Sequence, residues 1–535
     1  MAPLYLGLDL STQQLKAVVI TDENVVVHES AVHFDNDLPQ YGTTNGAIQG
    51  PAEGEVTSPV AMWLDAVDLL MQRMKEAGIQ FAEIKAISGA GQQHGSVYWS
   101  QHAEEALASL DPALTLREQL APKAYSIQRA PIWQDSSTSQ DCRALEEAVG
   151  GPQELADLSG SRAYERFTGN QIAKIRRLKP DAYAATSRIS LVSSFVPSLY
   201  LGHIAPIEVS DASGMNLMDV LSCKWDDRLL EACGGSELRQ KLGPEPVPGG
   251  TSLGPIGGWW TAKWGFSPDC IIAPFTGDNP ATVVSFSAPG DALLSLGTST
   301  TFLLSIPPRI RRRGGSLHPI CSLIQPLWTP KSPCYATKMA PSLANKCETK
   351  PANVTGNAST RRLKAPHQAT TGTLDSISLL PEIIPPGIKP EERVAAAESM
   401  PAENHPRAIL ESQFLSIRSR ITAILPPHAA TLHRLVVTGG SSGNETIRQL
   451  AADLFGMKVY VSHTKEAAGM GGALLARYAA WRAERGGTGS YEEMMGGEVV
   501  GMQCVAEPRP EVTKVYDDLV SVYQLCEETA LKAVS

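Results

Sequence analysis

Three runs of apolar, often β-branched residues open the chain at 4–10 (LYLGLDL), 15–20 (LKAVVI) and 24–32 (NVVVHESAV), with short turns between them. Turns that short predict an antiparallel meander. Over about 57–77 (TSPVAMWLDAVDLLMQRMKEA) the apolar positions recur at three and four, the period of an amphipathic helix. A strand at 84–88 (IKAIS) follows. The resulting βββαβ order differs from the βαβ opening of a dinucleotide-binding fold. The pattern restarts after Gly290. Residues 291–305 (DALLSLGTSTTFLLS) predict a strand, a small-residue turn and a strand, and 432–438 (LHRLVVT) predicts a strand running into GGSSGNET. A helix at about 443–455, a strand at 457–461 and a helix at 466–482 complete it. Two α/β domains that each open with a hairpin around a small-residue turn predict a cleft between similar halves. The expected boundary lies near residue 287, giving domains 1–286 and 287–535.

From Pro307 to about Leu379 the periodicity vanishes. Arg309 and Arg311 to Arg313 cluster, and Pro, Ser, Thr and Lys are scattered without helix or strand spacing. A structureless stretch of that length is uncommon inside a compact domain.

Composition narrows the class. With 535 residues and 43% hydrophobic content, the chain can bury sizeable cores, which excludes a disordered protein. Its 46 basic and 56 acidic residues argue against a nucleic-acid backbone or an anionic membrane as the main partner. Nine cysteines without a CxxC pair fit a reducing compartment. No apolar run approaches a membrane span, and Met1 leads almost directly into a strand instead of a basic and then apolar leader, so a cytoplasmic location is expected.

Five motifs carry candidate chemistry. Asp9 ends an apolar strand and is followed by Ser11, Thr12, Gln13 and Lys16, a polar hairpin turn. Such an Asp can hold a hydrated Mg²⁺, and such a turn offers donors to phosphate, although an Asp-Ser-Thr turn is also ordinary hairpin chemistry. Gly297, Thr298, Ser299 and Thr300 repeat the arrangement, and Thr438 to Asn444 (TGGSSGN) is a Gly-rich turn between strand and helix. Glycines admit close backbone approach and a helix N-terminus attracts anions. Two hairpin clasps and one Gly-rich turn match the layout of an actin-like ATPase or sugar kinase. No G-x-x-x-x-G-K-[ST] is present, so a P-loop is excluded. Asp278, in FTGDNP, is placed to act as a general base toward an attacking hydroxyl, unless the motif is only a turn. His94, in GQQHGS, has amides and glycines around it and suits a polyol. Arg166 and Asp135 are charges in otherwise neutral polar stretches, where surface ion pairs are the alternative.

Jointly these motifs resemble the FGGY family of carbohydrate kinases, and most closely its eukaryotic, fungal-like xylulose branch. The resemblance rests on LGLDLSTQQLKAVV, SGAGQQHGSVYW, PIWQDSST, GSRAYERFTGNQIAKI, SDASGMNLMDV, FTGDNPAT, LSLGTSTTFL and VTGGSSGNETIRQLAADLF, and it covers about 1–306 and 380–480. It implies two actin-like (ribonuclease H-like) α/β ATPase domains flanking a catalytic cleft, with sugar mainly on the first and MgATP on the second. By the same resemblance His94, Arg166, Asp278 and Asn279 match positions that bind D-xylulose, and Asp278 matches the base. Asp9 matches the acid near Mg²⁺. Thr12 and Gln13 match the first phosphate turn, Gly297 and Thr298 the second, and Gly439, Gly440, Ser441 and Asn444 the nucleotide turn. The implied reaction is ATP + D-xylulose → ADP + D-xylulose 5-phosphate. A kinase for another ketose such as ribulose, or an impaired sugar- or nucleotide-binding protein, stands as the alternative.

The resemblance also bears on 307–379. The family's matching stretch carries Met-Leu, then Asn-Gly-Ala, Val-Arg-Asp and Gly-Leu-Tyr-Phe. Back-translating Pro333 to Ala340 and reading one base early gives Met-Leu-Arg-Asn-Gln-Asn-Gly-Ala. With suitable codons the same offset over Asn345 to Lys350 can give Gln-Gln-Val-Arg-Asp-Lys, and over Asp375 to Leu379 it can give Gly-Leu-Tyr-Phe-Pro. Three matches in family order at one offset imply that this stretch is family sequence in a shifted frame. It is expected to be poorly ordered, and the chain as written to be a weak kinase.

Overall fold

β1 (Leu4–Leu10) and β2 (Gln14–Thr21) pair antiparallel through a turn in which the Ser11 N–H donates to the Gln14 carbonyl at 3.0 Å. β3 (Val26–His33) adds antiparallel to β2 as the sheet edge. β1 lies inside the sheet and reads as an unbroken apolar run, whereas most positions of β3 remain at least partly exposed. α1 (Val60–Glu76) buries Met62, Trp63, Leu64 and Met71 in the core beneath the sheet. Arg73 and Lys75 in its last turn oppose the negative end of the helix dipole. β4 (Ile84–Gly91) then lies parallel to β1. A helical region that periodicity did not resolve follows, including α2 (Thr168–Leu178) and α3 (Val192–Leu201). β5 (Ile271–Ile272) and β6 (Thr276–Gly277) both run parallel to β4, and β6 passes directly into α4 (Asp278–Phe286).

The second sheet repeats the opening. β7 (Asp291–Leu296) and β8 (Thr300–Leu304) form a hairpin. α5 (His405–Ile424) precedes β9 (Arg434–Thr438), which is parallel to β7 as β4 is to β1. α6 (Glu445–Phe455) and β10 (Lys458–Ser462) follow, then α7 (Ala467–Ala483), β11 (Met502–Ala506) and α8 (Pro510–Lys532). The strand order is β8-β7-β9-β10-β11, over a core that includes Leu294, Phe302, Phe414, Leu435 and Phe455.

This computed structural model describes residues 3–286, 291–296, 300–304, 405–424, 432, 434–462, 466–496 and 502–532. The expectations for 307–379, Gly297 and Thr298 lie outside the described residues. Among those described, no helix is long and apolar enough to cross a membrane.

Two compact units form, and residues 466–496 join the first, although their sequence position falls within 287–535. The reason is a close helix–sheet approach. A Cβ on Gly7 would stand 2.1 Å from the Gly469 carbonyl oxygen of α7, and one on Gly472 would stand 2.6 Å from the Gly89 Cα in β4. The run AAGMGGA therefore lays α7 backbone directly on β1 and β4. Lys16 pairs with Glu466 at 2.5 Å, and Arg477 with Asp22 at 3.1 Å.

Candidate active site

In the first unit, three strands deliver their carboxyl ends to one edge of the sheet. Asp9 of β1 and Thr276 of β6 are both register partners of Ala90, on opposite sides of β4. Carboxyl ends of parallel strands are where open α/β sheets place ligands. Asp9 is 3% exposed. Its Oδ2 accepts from the Ser11 hydroxyl at 2.6 Å and lies 3.9 Å from the Lys16 ammonium. Its buried Oδ1 accepts no hydrogen bond among the described residues. Burial raises the acid's pKa against the lowering pull of Lys16.

Asp278 opens α4 two residues beyond Thr276. It is partly exposed, and burial first, then the Asp9 charge, push its pKa up to about 7. The Asn279 backbone N–H donates to Asp278 Oδ1 at 2.8 Å, which favours the ionised form. The Asn279 amide nitrogen donates to Gln93 Oε1 at 2.7 Å.

His94 stands just past β4 with a left-handed φ of 67°. Its Nδ1 lies 3.1 Å from the Gly214 carbonyl oxygen. A carbonyl only accepts, so Nδ1 carries the proton and Nε2 is left as an acceptor. Burial and then the Arg166 charge push the imidazole down to about 3, so it stays neutral near pH 7. The ring packs on Phe167 at 4.7 Å. Arg166 is no surface ion pair: no carboxylate among the described residues meets it, and its guanidinium lies over Tyr164 (4.7 Å) and Trp133 (5.5 Å). The Trp133 indole N–H donates to Thr12 Oγ1 at 2.8 Å, tying the Arg166 neighbourhood to the first hairpin turn, where Gln13 is exposed.

Asp135 also differs from a surface charge. It is fully buried, takes Lys174 at 2.9 Å, and accepts from Gln171 at 2.9 Å and the Val56 N–H at 3.1 Å. Burial opposes its ionisation, but Lys174 and these donors prevail and lower its pKa, which makes it a structural hub.

Asp211 is part of this neighbourhood although no sequence argument had singled it out. It lies in a one-turn helix, Val209–Ala212, and is 1% exposed. Burial raises its pKa to about 7, with Glu208 and Asp278 adding to the rise against the Ser193 hydroxyl and the Gln93 amide. Its motif, SDASGMNLMDV, was visible, but its partners lie far away in sequence.

In the second unit, Gly439 takes a φ of 90° and Gly440–Gly443 forms a tight turn into α6. Asn444 caps that helix, its Oδ1 accepting from the Thr446 and Ile447 N–H groups at 2.9 and 3.2 Å. The helix thus begins at Glu445, slightly later than periodicity predicts.

Comparison with known proteins fits this fold. The N-terminal domain model of the FGGY family of carbohydrate kinases matches residues 122–285, and its C-terminal domain model matches 292–480. The xylulose kinase of Mus musculus is 39% identical over 531 residues, covering 98% of this chain and 94% of its own length. The D-xylulose kinase A of Aspergillus niger is 40% identical over 524 residues, covering 92% of each. Among solved structures, the ligand-bound xylulose kinase from Lactobacillus acidophilus has a TM-score of 0.72 at 16% identity, covering 100% of this chain and 99% of that one. The Plasmodium falciparum glycerol kinase with ADP has a TM-score of 0.70 at 16% identity, covering 100% and 98%. Two α/β units of this plan, matched by both domain models, define a carbohydrate kinase. The chain belongs to the FGGY family.

Proposed function

We propose that this chain transfers the γ-phosphoryl group of ATP to the terminal hydroxyl of D-xylulose, giving D-xylulose 5-phosphate and ADP. The observation that carries the chemistry is Asp278: a carboxyl with its pKa raised to about 7, at the end of a sheet beside Asn279 and Gln93. A base of that strength takes a hydroxyl proton near neutral pH while the oxygen attacks phosphorus and the bond to the ADP oxygen breaks. Neutral His94, with Nε2 as acceptor, and the Arg166 fork hold sugar oxygens. Asn279 adds an amide. The substrate assignment is supported by the names of relatives matched over nearly full length.

Asp9 suits Mg²⁺, a hard cation usually held by one or two carboxylates together with phosphate oxygens. Its buried Oδ1, without a hydrogen bond among the described residues, is the fitting donor. When bound, the cation supplies neutralisation of phosphate charge. We assign Thr12 and Gln13, Gly297 and Thr298, and Gly439, Gly440, Ser441 and Asn444 to the nucleotide, on the family resemblance of their turns.

A coupled ADP assay over D-xylulose, ribulose, glycerol and gluconate tests the reading. D-xylulose should give the highest kcat/KM, and a clear preference for any other acceptor overturns the substrate.

A further inference from the structure

Asp211 Oδ2 accepts from the Ser193 hydroxyl at 2.5 Å, and the Gln93 amide joins that hydroxyl in favouring the carboxylate, although no full hydrogen bond reaches the buried Oδ1 among the described residues. The other side of this oxygen is set by Gly277. A Cβ there would stand 2.8 Å from Asp211 Oδ1, 2.6 Å from Gln93 Cγ and 2.9 Å from Gln93 Nε2. Glycine at 277 thus lets the acid and the amide nitrogen of Gln93 lie beside the same stretch of backbone. At its other end, Gln93 Oε1 accepts from Asn279 Nδ2 at 2.7 Å.

We propose that Asp211 is a positioning residue that sets, through Gln93, which end of the Asn279 carboxamide faces the sugar. A carboxyl oxygen at 211 favours the Gln93 amide with nitrogen toward it and oxygen toward Asn279. With Gln93 reversed, two acceptors would face each other at Asp211 and two donors at Asn279, leaving buried groups unpaired. Once Gln93 is fixed, Asn279 turns its nitrogen to Gln93 and its oxygen away, as an acceptor for a sugar hydroxyl. A proton on Oδ2 leaves Oδ1 an acceptor, so the relay holds in either state of Asp211.

This inference rests on the proposed role of Asn279 in sugar binding, and calorimetry tests it without requiring turnover. D-xylulose and ATP are titrated separately into the full chain, wild type, Asp211→Asn, Gln93→Glu and the double variant. Asp211→Asn permits both amides to reverse and should weaken D-xylulose by about tenfold, with ATP unchanged. Gln93→Glu alone sets two acids against each other and should also weaken the sugar. In the double variant the carboxylate at 93 accepts from both neighbours, and affinity should return to within about twofold of wild type. Wild-type affinity in Asp211→Asn overturns the inference, as does a loss that the second substitution fails to rescue, which would mark a packing role. A wild-type chain that binds no D-xylulose overturns the proposed substrate and this inference with it.

Discussion

Asp9 and Asp278 lie at the ends of two strands that flank β4, and burial first, then the Asp9 charge, hold the proton on Asp278 up to about pH 7. Asp278→Asn keeps shape and removes the base. Turnover should fall roughly 10²- to 10⁴-fold with the sugar KM nearly unchanged, and near-full kcat would remove Asp278 from that role. The base acts only when ionised, so kcat/KM of the wild type should climb with pH through about 7 and level off above it. Stability runs the opposite way. An unfolded Asp titrates near ~4, so the folded group holds its proton more tightly, and its stabilising contribution, full below ~4, is lost as pH rises through about 7. Asp278→Asn should therefore raise Tm at about pH 8 and leave it unchanged near pH 4, a difference that thermal melts would read. His94→Ala should raise the sugar KM, by about 1–3 kcal/mol for a lost buried partner, and barely move the KM for ATP. Steady-state kinetics on both substrates checks this, and equal effects would make His94 structural. Asp9, His94 and Asp278 stood out in the sequence because each sits in a short motif at a strand end, and Arg166 because its motif runs into α2. Asp211 did not, because its meaning comes from Ser193, Gln93 and Gly277, which only the folded chain gathers.

At the scale of elements, strong periodicity made the outline readable: β1 to β3, α1, β4, the β7–β8 hairpin and the β9-to-α7 run all form, with α1 starting at Val60 after a short strand and α6 at Glu445, each a little later than the pattern places it. Between 92 and 270 the helices are short and packed on several sides, so no single apolar stripe announces them. The attachment of α7 was hidden for another reason. Its apolar and small positions show a buried helix, but the partner surface is Gly7 and Gly89, several hundred residues earlier. Gly472→Ala tests that contact. The added methyl meets backbone at Gly89 Cα, which has no side chain to swing aside, and should destabilise by about 1–3 kcal/mol, read as a lowered Tm. An unchanged Tm would mean that the helix rides farther from the sheet.

For the whole molecule, the stretch 307–379 sets the expected activity. The chain as written should phosphorylate D-xylulose weakly, and a chain with the one-base offset restored across that stretch should be faster in the same ADP assay. Equal rates would sink the shifted-frame reading, as would a transcript that encodes 307–379 as printed in a fully active enzyme. The return of α7 to the first sheet has a consequence for synthesis on the ribosome. The first 286 residues emerge with one face of β1 and β4 bare, and the helix that covers it arrives roughly 180 residues later. At ribosomal speeds that is a wait of roughly 10–40 s, during which apolar strand surface lies open to neighbouring nascent chains. A ribosome-bound intermediate stalled between 290 and 460 should therefore be the most chaperone-dependent species in the life of this protein.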